Sequence, residues 1–165
     1  EFDSTSASPH VAFVQRDVGL THGVRTSSGW SFETVDPLSG IHPVGEAIGP
    51  DGQVWIAYGS DAGVHVATQT ASGWETTLVA PGVDTVGLAI AVDSAGVPHM
   101  ALSDGVTNSI VYASDSGGGW VLEELARTGD LSLVDLALDG EGRPHVVFHT
   151  YDGLGHTQIE LAIRR

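Results

Sequence analysis

The sequence predicts an all-β fold built from about four copies of a four-stranded antiparallel unit, and three observations carry that expectation. First, the segments Glu46 to Tyr58, Ile90 to Leu102 and Leu136 to Phe148 superimpose when the chain is slid along itself by 44 and then 46 residues. Second, a Gly-Trp pair keeps the same two offsets, at Trp30, Trp74 and Trp120. Third, each repeat holds short alternating or apolar runs cut by Gly, Asp, Ser and Pro, the pattern of strands joined by turns, and no stretch has a helical period. A period of this size must be recognised before any local reading, because it decides the architecture of the whole chain.

The repeats run over residues 3–38, 44–80, 86–126 and 132–165, within a single domain at 1–165. In the complete copies strand A is expected at Val86 to Val92 and Ser132 to Leu138, and strand B at Pro98 to Ser103 and Pro144 to Thr150. Strand C is expected at Ser109 to Ser114 and Thr157 to Ile163, and strand D at Trp120 to Ala126. Asp93-Ser-Ala-Gly96 and Asp139-Gly-Glu-Gly142 turn A into B, and Gly-rich turns ending in Gly-Trp join C to D. A lone four-stranded meander has two faces to cover, so such units persist by stacking face to face around an axis, as β-propeller blades do. Both faces of strand B are apolar enough for this: Val146 and Phe148 point one way, His145 and Val147 the other. Gly23, Ala67, Ala113 and Ala162 share one strand C position, where a neighbouring blade is expected to come close. A β-sandwich would not need so regular a repeat.

In this frame Pro9 aligns with Pro98, so the first blade lacks strand A, and the last lacks strand D. The expectation is a homo-oligomer, a ring completed by another chain, or part of a longer propeller.

Six Lys and Arg against 21 Asp and Glu give a formal net charge of −15. That field repels phosphate backbones and anionic lipid surfaces, which argues against nucleic acid and membrane partners. There is no cysteine for a disulfide or a thiolate metal site, and no apolar run is long enough to cross a bilayer.

The string L-A-L-D-x-x-G-x-P-H-V-x-F at Leu136 to Phe148, with G-G-G-W at Gly117 to Trp120, resembles the repeats of bacterial sialidase-like, Asp-box-type β-propeller proteins. Asp115, Gly117 and Trp120 keep the Asp-box spacing; Gln69 and Ala71 before Trp74, and Arg25 and Ser27 before Trp30, depart from it. The resemblance implies a secreted or cell-surface protein. It specifies architecture more than activity, because such blades serve lectins, adhesins and glycosidases alike.

Sialidase chemistry would need an arginine cluster, a Tyr nucleophile and an acidic partner, and the six arginines and three tyrosines here share no repeat position or motif. His10, His99 and His145 occupy one repeat position, which Trp55 takes in the second blade; a position accepting either residue reads as a half-buried packing site. Trp30, Trp74 and Trp120 offer flat faces that suit sugar rings, but their strict recurrence argues instead for a repeated packing role. Residues that depart from an architectural consensus are the better functional candidates, which singles out Trp55, joined by His145 and His149 on one face of a strand. Asp93, Asp139 and Glu141 in the A–B turns offer oxygen ligands of the kind Ca2+ takes, but without the spacing of a known calcium loop. No other cofactor is signalled. The function expected is a non-catalytic binding module for a glycan or a protein partner. A structural or assembly propeller, or a sialidase-like glycosidase or lyase, are the alternatives.

Overall fold

A computed structural model describes residues 8–38, 40–128, 133–151, 154 and 156–163. Its strands form four antiparallel sheets in chain order. Blade 1 comprises β1 (His10–Gln15), β2 (Gly19–Thr26) and β3 (Gly29–Asp36), and blade 2 comprises β4 (Val44–Ile48), β5 (Val54–Ser60), β6 (Gly63–Thr70) and β7 (Gly73–Pro81). Blade 3 comprises β8 (Leu88–Val92), β9 (Pro98–Asp104), β10 (Ser109–Ser114) and β11 (Val121–Arg127), and blade 4 comprises β12 (Val134–Leu138), β13 (Pro144–Tyr151) and β14 (Thr157–Ile163). Every strand pairs with its chain neighbour, so each sheet is a meander, and the chain has the all-β propeller architecture that the repeat predicts. Strand C lies at 109–114 and 157–163 as expected, whereas strand A of blade 3 starts at Leu88, two residues later than the pattern suggested; in blade 4 the ladder runs from Val134, and the expected start at Ser132 lies outside the described residues.

Strand A is innermost. β8 packs on β4 and β5 of the preceding blade, and β12 packs on β8 and β9. Three apolar clusters fill the spaces between successive blades. Leu20, Val35 and Ala12 of blade 1 meet Val54, Ile56 and Tyr58 of blade 2. Ala57, Val66 and Val79 of blade 2 meet Ile90, Met100 and Leu102 of blade 3, and Ala101, Ile110 and Tyr112 meet Leu136, Val146 and Phe148 of blade 4. Both faces of strands B and C in each middle sheet are therefore largely buried, which explains why these strands read as nearly continuous apolar runs. Ala67 and Ala113 are fully buried in these clusters, as expected of a close approach between blades. At Gly23 the crowding has another source, because the Phe32 ring of its own sheet lies 2.6 Å from where a Cβ would stand. In blade 4 the outer face exposes Ile159, Leu161, Ile163 and Val147.

The C–D corners are made by two chemistries. In blades 1 and 2 the hydroxyls of Thr26 and Thr70 donate to the carbonyls of Gly29 and Gly73 and accept from Ser28 and Ser72 N–H; both glycines adopt positive φ. In blade 3 the Asp115 carboxylate accepts from Gly117 and Gly119 N–H, at 2.8 and 3.0 Å. Beyond each corner the C–D ladder carries a β-bulge at the same repeat position: Leu20/Thr21, Val64/His65 and Ile110/Val111. The extra residue on strand D is Val35, Val79 or Leu125. In blade 1 the bulge breaks strict alternation, so that Val35 and Asp36 are both buried.

Candidate functional site

Because the blades repeat, so do the clefts between them. Each cleft is lined from one side by one position each on strands B, C and D, and from the other by the next blade: Glu46 and Trp74 in the first, the Asp115 corner and Trp120 in the second, and Pro144, Val146, Ala162 and Ile163 in the third. His10, His22 and Glu33 occupy the first three positions in the cleft between blades 1 and 2; Trp55, Val66 and Thr77 occupy them between blades 2 and 3; and His99, Tyr112 and Glu123 between blades 3 and 4. One backbone frame thus presents three different chemistries.

The second cleft is the most open to a ligand of moderate size. A cavity of about 400 Å3 is lined by Trp55, Thr68, Thr77 and Leu78 of blade 2 and by Asp115, Gly119 and Trp120 of blade 3. Trp55 projects from β5, on the face that carries Ala57, and Trp120 is set at the mouth by the Asp115 corner. Both indoles are half-buried against the apolar cluster beneath. The cavity therefore combines flat aromatic surface with two hydroxyls and a carboxylate, in the size range of small-molecule sites.

The third cleft is narrower, about 290 Å3, and more apolar, with Leu125, Pro144 and Val146 beside Tyr112 and Glu123. Here His99 is buried, its Nδ1 2.5 Å from the Tyr112 hydroxyl and its Nε2 3.4 Å from Asp93.

The first cleft is polar at its centre. His22, fully buried, places Nε2 3.1 Å from His10 Nδ1 and 3.3 Å from Glu46 Oε1, while its Nδ1 lies 3.2 Å from Glu33 Oε1. Gln69 donates to Glu33 at 3.0 Å, and the Trp74 ring meets His22 edge-on at 5.2 Å. Burial alone would lower the pKa of His22, but the adjacent carboxylates of Glu46 and then Glu33 outweigh it and hold the imidazole above 6.5.

The ligand candidates read from the sequence are not brought together. Trp55 lies in the second cleft, whereas His145 and His149 stand on β13 of blade 4. His145 Nε2 is 3.4 Å from Asp139 Oδ2, repeating the His99–Asp93 pair, and His149 Nε2 accepts the Leu133 N–H at 3.2 Å. Among the packing candidates, Trp74 flanks the first cleft and Trp120 lines the second. Trp30 is 41% exposed and stacks on Phe32 at 6.1 Å.

The calcium candidates serve their own turns. Asp93 Oδ1 accepts from Ala95 and Val97 N–H, and Asp139 Oδ1 from Glu141 and Arg143 N–H. Burial works against ionisation of Asp93, yet the Val97 amide and His99 outweigh it and lower its pKa. At Asp139 the Arg143 amide and guanidinium hold the carboxyl well below its usual range, and Glu141 pairs with the same arginine at 3.3 Å.

Glu46, His22, Glu33 and Asp115 were not among the residues singled out from the sequence as ligand sites. The signal for Glu46 was present, since it stands where the other repeats have Ile90 and Leu136.

No protein-family model matches the sequence, and no curated protein matches it. Among solved structures the chain is similar to a fucose lectin from Kordia zhangzhouensis in complex with methyl-fucoside, with a TM-score of 0.53, 12% identity and coverage of 74% of this chain and 97% of that one. It is also similar to a variant of the Aleuria aurantia lectin in complex with α-methyl-L-fucoside, at 0.58 and 13%, covering 99% and 63%. A leech intramolecular trans-sialidase gives 0.62 and 11%, covering 99% and 30%. The chain thus spans less than two thirds of the last two proteins, and at these identities the likeness establishes the propeller fold alone.

Proposed function

We propose that the chain is a non-catalytic glycan-binding propeller module, acting at a cell surface or after secretion, whose ligand seats between blades 2 and 3. The observation that carries this reading is the pairing of Trp55 and Trp120 with Thr68, Thr77 and Asp115 around one open cavity. An indole face covers the apolar side of a pyranose, while hydroxyls and a carboxylate accept and donate to its equatorial groups. Among the described residues lining that cavity Asp115 is the sole carboxylate, and it is engaged with two backbone amides of its turn. Glycoside hydrolysis ordinarily needs two carboxyl groups flanking the bond, so this lining suits holding a sugar better than cutting one. Neighbours that bind fucosides in their solved structures are consistent with the reading.

A glycan array with the wild type and Trp55→Ala tests it. Binding to a defined set of saccharides, weakened at least about tenfold by the substitution, is the expected result, a loss of about 1.4 kcal/mol or more. Binding untouched by Trp55→Ala would move the ligand elsewhere. Release of fluorophore from aryl glycosides by the wild type would replace the module with an enzyme.

A further inference from the structure

We propose that the cleft between blades 1 and 2 is a binding site for a divalent transition metal of the Zn2+ type, with His10, His22 and Glu46 as ligands. The donor atoms of the three all lie within 4.8 Å of one another. Two of the separations are 3.1 and 3.3 Å, and ligand atoms about 2.0–2.1 Å from a tetrahedral ion stand about 3.3–3.4 Å apart. The third separation, His10 to Glu46, lies within 4.8 Å and closes on an ion with a side-chain shift of about an ångström.

An independent observation points the same way. The Glu46 side chain is 8% exposed, and its buried Oε1 meets His22 Nε2 at 3.3 Å without completing a hydrogen bond. A buried carboxylate oxygen left in that state is costly, and a cation between it and the imidazoles would satisfy it. The fold does not require a charge there, because blades 3 and 4 place Ile90 and Leu136 at this position and pack well.

The remaining contacts fit the same role. With Nε2 on the metal, His22 directs Nδ1–H to Glu33, which Gln69 holds in turn; such a carboxylate behind a ligating imidazole fixes its tautomer and orientation. Two imidazoles and one carboxylate select borderline metals over the all-oxygen sets of Ca2+ and Mg2+, and three protein ligands leave a fourth position for water or a ligand group. A net charge of −15 raises the local concentration of cations. The other histidines of the repeat position, His99 and His145, face single aspartates instead.

The test uses the whole chain stripped with EDTA. Zn2+ titrated by calorimetry should bind at one equivalent and raise the melting midpoint, while Ca2+ and Mg2+ at equal concentration should not. His10→Gln and Glu46→Gln should each weaken that binding at least tenfold, and His145→Gln should leave it unchanged. Because a cleft variant could fail to fold, Co2+ bound to the wild type provides a second reading: intense visible absorption of a four-coordinate ion is expected. No saturable Zn2+ binding, equal binding by the His10 and Glu46 variants, or the weak spectrum of six-coordinate Co2+ would each overturn the assignment.

Discussion

Replacing Glu46 by leucine should make the metal-free protein more stable. Position 46 lies on strand A of blade 2, pairs with Ile56 and faces His22 of the preceding blade; the aligned residue in blade 4 is Leu136. Removing the carboxylate relieves a buried oxygen that meets His22 Nε2 at 3.3 Å without completing a hydrogen bond, a penalty of about 1–3 kcal/mol. Burying a leucine side chain there adds about 1.5–3 kcal/mol. Against these stands the lost ion-pair contact with His22 at 3.3 Å, at most the roughly 1.5–3 kcal/mol of a well-formed hydrogen bond to a charged group, which Glu33 partly replaces from the other ring nitrogen. The balance favours the variant by about 1–2 kcal/mol, or roughly 3–6 °C in melting midpoint for a chain of this size. Urea denaturation in EDTA, with wild type and Glu46→Leu compared at constant m-value, measures it. A midpoint at lower urea for the variant would show that the His22–Glu46 contact outweighs the desolvation of the carboxylate, and would refute the reasoning.

Two further outcomes follow from other interfaces. Tyr58 is fully buried and donates to Asp36 at 2.5 Å across the first interface, so Tyr58→Phe should cost about 1–3 kcal/mol at neutral pH, read by the same denaturation. Burial and then that hydrogen bond raise the Tyr58 pKa well above 10; stability should therefore hold below about pH 10 and fall as pH rises beyond it, and the phenylalanine variant should show a flatter alkaline decline. Gly63 has φ +128 and a Cβ there would stand 2.1 Å from the Ala80 carbonyl oxygen, so Gly63→Ala should cost at least about 1–3 kcal/mol from backbone strain; an unchanged thermal midpoint would contradict that geometry.

The architecture was legible because it is written several times over. Apolar alternation, Gly-Trp corners and Asp-x-x-Gly turns keep one period, and each is dictated by local backbone chemistry. The start of strand A was not, since Val86 continues the apolar run that ends in Val92 although the ladder begins only at Leu88. Sites were harder for a physical reason. A cleft between blades assembles positions from two repeats, so His10 and His22 meet Glu46, Gln69 and Trp74 only once the sheets are stacked. Alignment of repeats exposes departures such as Trp55 and Glu46, but it cannot say which departures face the same cleft. It also passes over residues that keep the consensus yet line a cavity, as Trp120 lines the second cleft.

The bulge on strand D has a further consequence, for where the chain can change length. Trp30, Trp74 and Trp120 each precede the aligned strand A residue, Glu46, Ile90 or Leu136, by sixteen residues. The stretch that contains the bulge is thus a fixed measure. In blade 1 the bulge aims Asp36 at Tyr58; deleting one residue there would restore simple alternation and turn that carboxylate away from its partner. The difference between the repeats lies elsewhere, in the turn from strand B to strand C, where Ser60-Asp-Ala-Gly63 in blade 2 becomes the longer run Asp104-Gly-Val-Thr-Asn-Ser109 in blade 3. The two repeats differ in length at the tip of that turn while the bulge beside it keeps its place on the ladder, so the tip is the natural place to graft a foreign loop, and the run from the corner tryptophan to strand A is where the scaffold keeps its ruler.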